Sequence, residues 1–395
     1  MQSNKIYKKL EIELKRNNCK IFTPWQIQDF IAKLASNYYK LDLINSISNS
    51  LNSGIKQENI FIVDESFNYN NCYKFLEKTN KLDLNNEDGF KNFYHFGNPI
   101  SMIPSKNIMS LNLKFKLFRE INKYLGSKHL EKIDKNLFHE VVFDEEDKNG
   151  YKIYNLAIDK IKDLDKSKKE RIDKDLIEIK DKYEDILKDY KKDEFYIEFL
   201  KKLIMSNDLK EEDLKGKEDI QEKYFTNFIK YFNRLERPTV GIYFPETNTV
   251  ELLGSSFIYK KSRDERFLDI KEISHNSPPY CHLFVGLAFV TPSIIIVKNI
   301  IETNKKNILN NKNKDKIQEL EEKNKIYYES IKELEKLVEK ENLNSHEDIE
   351  NSYAKDNIKV MHEHVTRKTT ENIKDYGFEN SNLKSNIIDF NNYKK

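Results

Sequence analysis

Cysteine, proline, glycine and arginine are all scarce in this chain, and each shortage excludes something. Three cysteines, Cys19, Cys72 and Cys281, stand isolated among 395 residues with no CxxC pair. That count excludes a disulfide framework and a cysteine-built zinc site, and it favours a reducing compartment. Ten glycines leave little material for phosphate-cradling loops. No P-loop, GxSxG elbow, HExxH helix or EF-hand loop occurs. Only eight of the 68 basic residues are arginine, the side chain best suited to bidentate reading of bases and phosphates. The 68 basic residues are nearly cancelled by 66 acidic ones, so the basic excess of a typical nucleic-acid binder is missing. Nucleic acid is therefore not the expected partner, although local lysine clusters could hold a polyanion nonspecifically. The opening stretch MQSNKIYKKLEIELKRNN has no apolar signal core, and the expected location is cytoplasmic.

What the chain does contain is aromatic residues and charge. Twenty-four Phe and 22 Tyr are far more than a disordered chain carries. With 38% apolar and 34% charged residues, folded segments are expected to alternate with long solvated ones. The length admits two or three domains.

The first strong local signal is Thr23-Pro24-Trp25-Gln26, an N-cap followed by a first-turn proline and a capping-box Gln. It opens a helix carrying Ile27, Phe30, Ile31, Leu34, Tyr38, Leu41 and Ile44 at helical spacing, which Gly54 can stop. The run Ile60-Phe61-Ile62-Val63 reads as a buried strand. Residues 1–150 are expected to form an α-rich domain with minor β content.

Residues 151–236 form a charged helical arm. Ile172, Leu176, Ile179, Tyr183, Ile186 and Tyr190 are spaced 4-3-4-3-4, a heptad seam on an otherwise solvated surface. Residues 237–275 switch to a period of two. Val240, Ile242 and Phe244 alternate, Pro245 to Asn248 make a turn, and Val250 and Leu252 alternate again, which predicts a hairpin in a small β-unit.

From Pro278 to Val297 there is no Asp, Glu, Lys or Arg, within the apolar segment 276–301. A buried core helix or helix-turn is expected, since His282 and Pro292 interrupt the run. A membrane-inserted segment is the alternative, because the length approaches a bilayer span. A second seam follows over 302–345: Ile317, Leu320, Asn324, Tyr327, Ile331, Leu334 and Val338 repeat at 3-4-3-4-3-4. Asn324 takes an a position, where a buried Asn favours a two-stranded pairing. Self-association through this seam is the expectation. Residues 346–395 read as a polar tail with short helices. The fold class is thus mainly α with a small antiparallel β-unit (α+β).

Three clusters could carry chemistry. His139-Glu140 with Asp144 to Asp147 gathers oxygen ligands of the kind a metal-dependent hydrolase needs, but Asn149-Gly150 also marks an acidic turn. His362 and His364 would share a face on a strand and diverge on a helix. Arg234, Arg237, Arg263 and Arg266 bracket the β-hairpin and could hold an anion or an acidic partner. No cofactor, metal site or catalytic residue is expected. The leading functional reading is a non-catalytic sensor, adaptor or scaffold that binds a protein partner or a second copy of itself. Its rivals are a membrane-acting effector using Pro278–Val297 and a hydrolase using residues 139–147.

Overall fold

A computed structural model describes residues 8–15, 23–66, 79–144, 146–163, 169–206, 227–254, 268–274, 280–285, 290–340, 352–377 and 380–389. In chain order the elements are β1 (Lys8–Lys15), α1 (Pro24–Asn52), β2 (Ile60–Ser66), β3 (Lys81–Asp83), α2 (Glu87–Phe96), β4 (Pro99–Ser101) and α3 (Lys106–Ser127). They continue as α4 (Lys135–Val142), α5 (Tyr151–Lys162), α6 (Lys169–Ser206), α7 (Asn227–Arg234), β5 (Pro238–Phe244) and β6 (Thr249–Leu252). The remainder are β7 (Asp269–Ser274), β8 (Tyr280–Val285), α8 (Val290–Asn310), α9 (Lys314–Lys340), α10 (Ser352–Asp375) and β9 (Asn380–Asp389). The fold is mainly α with antiparallel β, as the sequence indicates, but the β content forms two sheets rather than one unit.

Contacts divide the described residues into two units. The first lies within Met1–Ser53, Gly254–Glu350 and Lys355–Lys395, the second within Gly54–Leu253 and Asn351–Ala354. The predicted hairpin β5–β6 belongs to the second unit, while β7 joins the sheet of the first.

In the second unit five strands run in the order β3-β6-β5-β2-β4. Ile60, Phe61, Ile62 and Val63 of β2 are all fully buried, which accounts for an unbroken apolar run in place of alternation. Gly241 of β5 faces Phe61 across the ladder. A Cβ at Gly241 would lie 2.7 Å from the Phe61 ring, so the glycine makes room for the ring. Phe61 meets Phe93 edge-on at 5.6 Å. Behind it Phe90, Phe115, Phe118 and Phe138 form a buried aromatic core, with Phe118 and Phe138 stacked at 4.0 Å. Such pairs add about 0.5–1.5 kcal/mol each beyond their burial.

The first heptad seam lies on α6. Tyr183 packs with Leu113 and Leu117 of α3, with Tyr154, Ile186, Leu187 and Tyr190 around them. A polar clamp completes the docking of α6 on α3. The Tyr124 hydroxyl donates to Asp175 (3.0 Å) and Glu178 (3.1 Å), and Lys128 pairs with the same carboxylates at 3.0 and 2.8 Å. The two acids, Glu178 first, hold the Lys128 ammonium above its ordinary range.

In the first unit the sheet order is β7-β8-β1-β9. Strand β1 pairs antiparallel with β8 on one side and β9 on the other. This ladder ties together segments from both ends and the middle of the chain. Helix α1 begins as read: Gln26 N–H donates to Thr23 Oγ1 (3.3 Å), and Thr23 N–H donates to Gln26 Oε1 (3.2 Å). Residues 38–44 of α1 are all buried, so the helix runs through the interior and its apolar face is not confined to one stripe.

Two expectations are corrected in this unit. Pro278–Val297 is not one core helix: residues 280–285 form β8, and Val290–Val297 belong to helix α8. Periodicity cannot separate a strand from a helix in a short apolar run. Among the described residues, no helix is long and apolar enough to cross a membrane. Residues 346–395 are not a tail with short helices, because α10 spans 24 residues and β9 adds ten. Helix α10 buries Ala354, Ile358, Met361, Val365 and Thr369 at helical spacing. Small and polar residues at two of those positions hide the period.

Candidate functional site

The second heptad seam has a partner inside the chain. Helices α8 and α9 are joined by residues 311–313 and pack as a hairpin. Asn324, Tyr327, Ile331, Leu334 and Val338 are buried on α9, facing Ile294, Val297, Ile301 and Asn304, which are buried on α8. Asn304 Nδ2 donates to Asn324 Oδ1 at 3.0 Å, so the buried Asn of the seam is satisfied within the chain. Ile317 and Leu320, nearer the link, are half-buried. A chain that self-associated through this seam would first have to open the hairpin. The spacing 294, 297, 301, 304, 308 repeats 3-4-3-4, and it is the sequence signal that the α9 seam meets a matching one.

The acidic cluster does not converge. His139 Nε2 lies 2.9 Å from the Leu84 carbonyl oxygen and its ring stacks on Phe90 at 4.9 Å. Asp147, 7% exposed, accepts from the N–H groups of Tyr151 (2.7 Å) and Lys152 (2.8 Å) at the start of α5. Asp144 pairs with Lys152. Glu145 lies outside the described residues. These carboxylates stabilise a helix start, whose orphan N–H groups and dipole favour an anion. His362 and His364 sit on helix α10, where residues two apart diverge. Among the described residues, no group of three or more His, Cys, Asp or Glu could hold a metal ion.

Of the four arginines, Arg263 and Arg266 lie outside the described residues. Arg237 sits in the turn before β5. Arg234 closes α7, with its guanidinium 4.4 Å from the centre of the Tyr231 ring. Tyr231 in turn lines a cleft.

The cleft lies in the second unit, has a volume of about 190 Å³, and is bounded by β4, α3, α6 and α7. Its floor is apolar, with Ile108 and Leu113 buried and Met109 and Ile186 half-buried. Tyr190 and Tyr231 wall it, and Lys116 and Asp189 stand exposed at the rim. Burial pushes the Tyr190 phenol up to about 12, which keeps it a neutral donor and acceptor at any physiological pH. Asn112 also lines the site and is held by its side-chain N–H donating to the Pro99 carbonyl oxygen (2.9 Å). The rim charges Lys116 and Asp189 form no ion pair among the described residues.

Local sequence reasoning misses this site because its walls come from segments more than 100 residues apart. The available clue is Ile186 and Tyr190, the last two seam positions of α6. They pack at the margin of the α3–α6 core and remain half-buried, which leaves part of each side chain facing the cleft.

No protein-family model, curated protein or solved structure matches this chain.

Proposed function

We propose that the protein is a non-catalytic interaction protein whose second unit receives an anchoring side chain from a protein partner in the cleft between α3, α6 and α7. The observation that carries this reading is the cleft's size and lining taken together. At about 190 Å³ it is smaller than the roughly 300–1,000 Å³ typical of cofactor and drug-sized ligand sites. One aliphatic or aromatic side chain suits it, and full burial of such a group is worth about 1.5–3 kcal/mol. Tyrosine walls around an apolar floor are the composition found at the centre of protein interfaces. The exposed Lys116 and Asp189 supply charges of both signs for the polar groups flanking an anchor.

Selection from a random peptide library on the full chain tests this. Peptides sharing one apolar anchor should be enriched, and Ile186→Glu, which puts a charge in the half-buried floor, should abolish their binding at temperatures well below the variant's own, lowered melting transition. Enriched peptides that bind Ile186→Glu as well as the parent would refute the cleft as the docking site. Failure to enrich any peptide would count against a linear partner segment.

A further inference from the structure

We propose that the free end of the α8–α9 hairpin docks on an anionic lipid surface, with Leu309 entering the headgroup region among surrounding lysines. This inference does not rest on the cleft. Between residues 303 and 318 there are five lysines and a single acid, Asp315. Lys305, Lys306, Lys312, Lys314 and Lys316 are all exposed, on the ends of both helices and the link between them. Lys306, Lys312 and Lys314 form no ion pair among the described residues. In their midst Leu309 is 84% exposed.

An exposed leucine alone is ordinary, and so is a lysine cluster in a lysine-rich chain. Their coincidence at the end of one hairpin combines the two attractions that reversible membrane contact needs, an apolar insertion and a polybasic patch. The mount is braced, since the Asn304–Asn324 hydrogen bond and the Lys298–Glu335 pair at 3.1 Å join the two helices behind the tip. A phosphate backbone offers nothing to an aliphatic tip, and lysines act as point charges suited to a diffuse headgroup layer rather than to bidentate reading. The tip is separate from residues 278–297, so contact of this kind needs no spanning segment.

The test is co-sedimentation of the full chain with phosphatidylcholine vesicles, with and without phosphatidylserine, at low and physiological salt. Binding should require phosphatidylserine and weaken as salt rises. Each lysine is expected to carry about fivefold in affinity, which is about 1 kcal/mol. Combined Lys312→Glu, Lys314→Glu and Lys316→Glu should therefore weaken binding about a hundredfold or more. Lys314 and Lys316 lie in the first turn of α9, where glutamate suits the helix dipole, and Lys312 lies in the link before it, so helicity should be unchanged. Leu309→Glu should also weaken binding, and Lys359→Glu on α10 should not. Equal binding to both vesicle types, or no binding to either, would overturn the proposal. So would tight binding of a short DNA duplex that Leu309→Glu leaves intact, which would assign the tip to nucleic acid.

Discussion

The buried Asn304–Asn324 pair gives the sharpest test of how the second heptad seam is used. Both side chains are nearly inaccessible, at 4% and 6% exposure, and each amide meets the other at 3.0 Å. Asn324→Leu leaves the Asn304 amide donor buried with no acceptor, and Asn304→Leu leaves the Asn324 carbonyl in the same position. An unsatisfied buried group costs about 1–3 kcal/mol, whereas replacing both partners by apolar groups of similar shape is close to neutral or stabilising. The double variant should thus cost less than the sum of the two single costs by about 1–3 kcal/mol, the coupling expected of residues in direct contact. Hydrogen exchange over peptides from 294–308 and 317–338 is the suitable assay, because it reads the opening of the hairpin whatever the other unit does. An intramolecular hairpin also requires that protection be independent of protein concentration. Sedimentation should show one species size for all four proteins. A coupling near zero, or protection that rises with concentration alongside a change of species in the Leu variants, would refute the hairpin and restore the seam as a surface between copies.

Two further predictions follow from particular groups. Burial, then the neighbouring cations, hold His95 and His364 below their ordinary pKa. Because the folded values are depressed, the unfolded chain takes up these protons first as pH falls below about 6.5. The associated stability is present above that pH and is lost as pH falls toward the folded values. The double variant His95→Gln, His364→Gln should lose less in melting temperature on mild acidification than the parent, and an unchanged loss would remove both groups from the account. Asp147→Ala should cost about 0.5–2 kcal/mol in denaturant unfolding, as loss of a helix cap does, and added magnesium or calcium should not alter the difference. Divalent-ion stabilisation of the parent that the variant lacks would return residues 139–147 to the metal reading.

Local physics made much of the fold legible. The Thr23–Gln26 capping box, the β2 run, the β5–β6 hairpin and the α6 seam all depend on residues within a turn or two of each other, and each appears where read. The misreadings share one cause, which is that the deciding partner is remote. Residues 280–285 are a strand because β1, some 270 residues earlier, supplies the ladder. The α9 seam is closed by α8, whose Asn304 occupies a buried position that a search for apolar spacing passes over. Helix α10 buries Thr366, Thr369 and Asn372, so its inner face does not look apolar. The candidate site was least legible of all. Its lining comes from β4, α3, α6 and α7, and no spacing along the chain encodes that meeting.

The central claim is that the cleft between α3, α6 and α7 is where a protein partner docks. Site-specific photo-crosslinking tests it most directly, with the reactive side chain placed at Met109 or Asn227 on the cleft and at Trp25, which is 79% exposed on α1, as the comparison. In cells that make the protein, both cleft positions should crosslink to the same partner, and Ile186→Glu should abolish both products. Crosslinks that form equally from Trp25, or that persist in Ile186→Glu, would contradict the assignment.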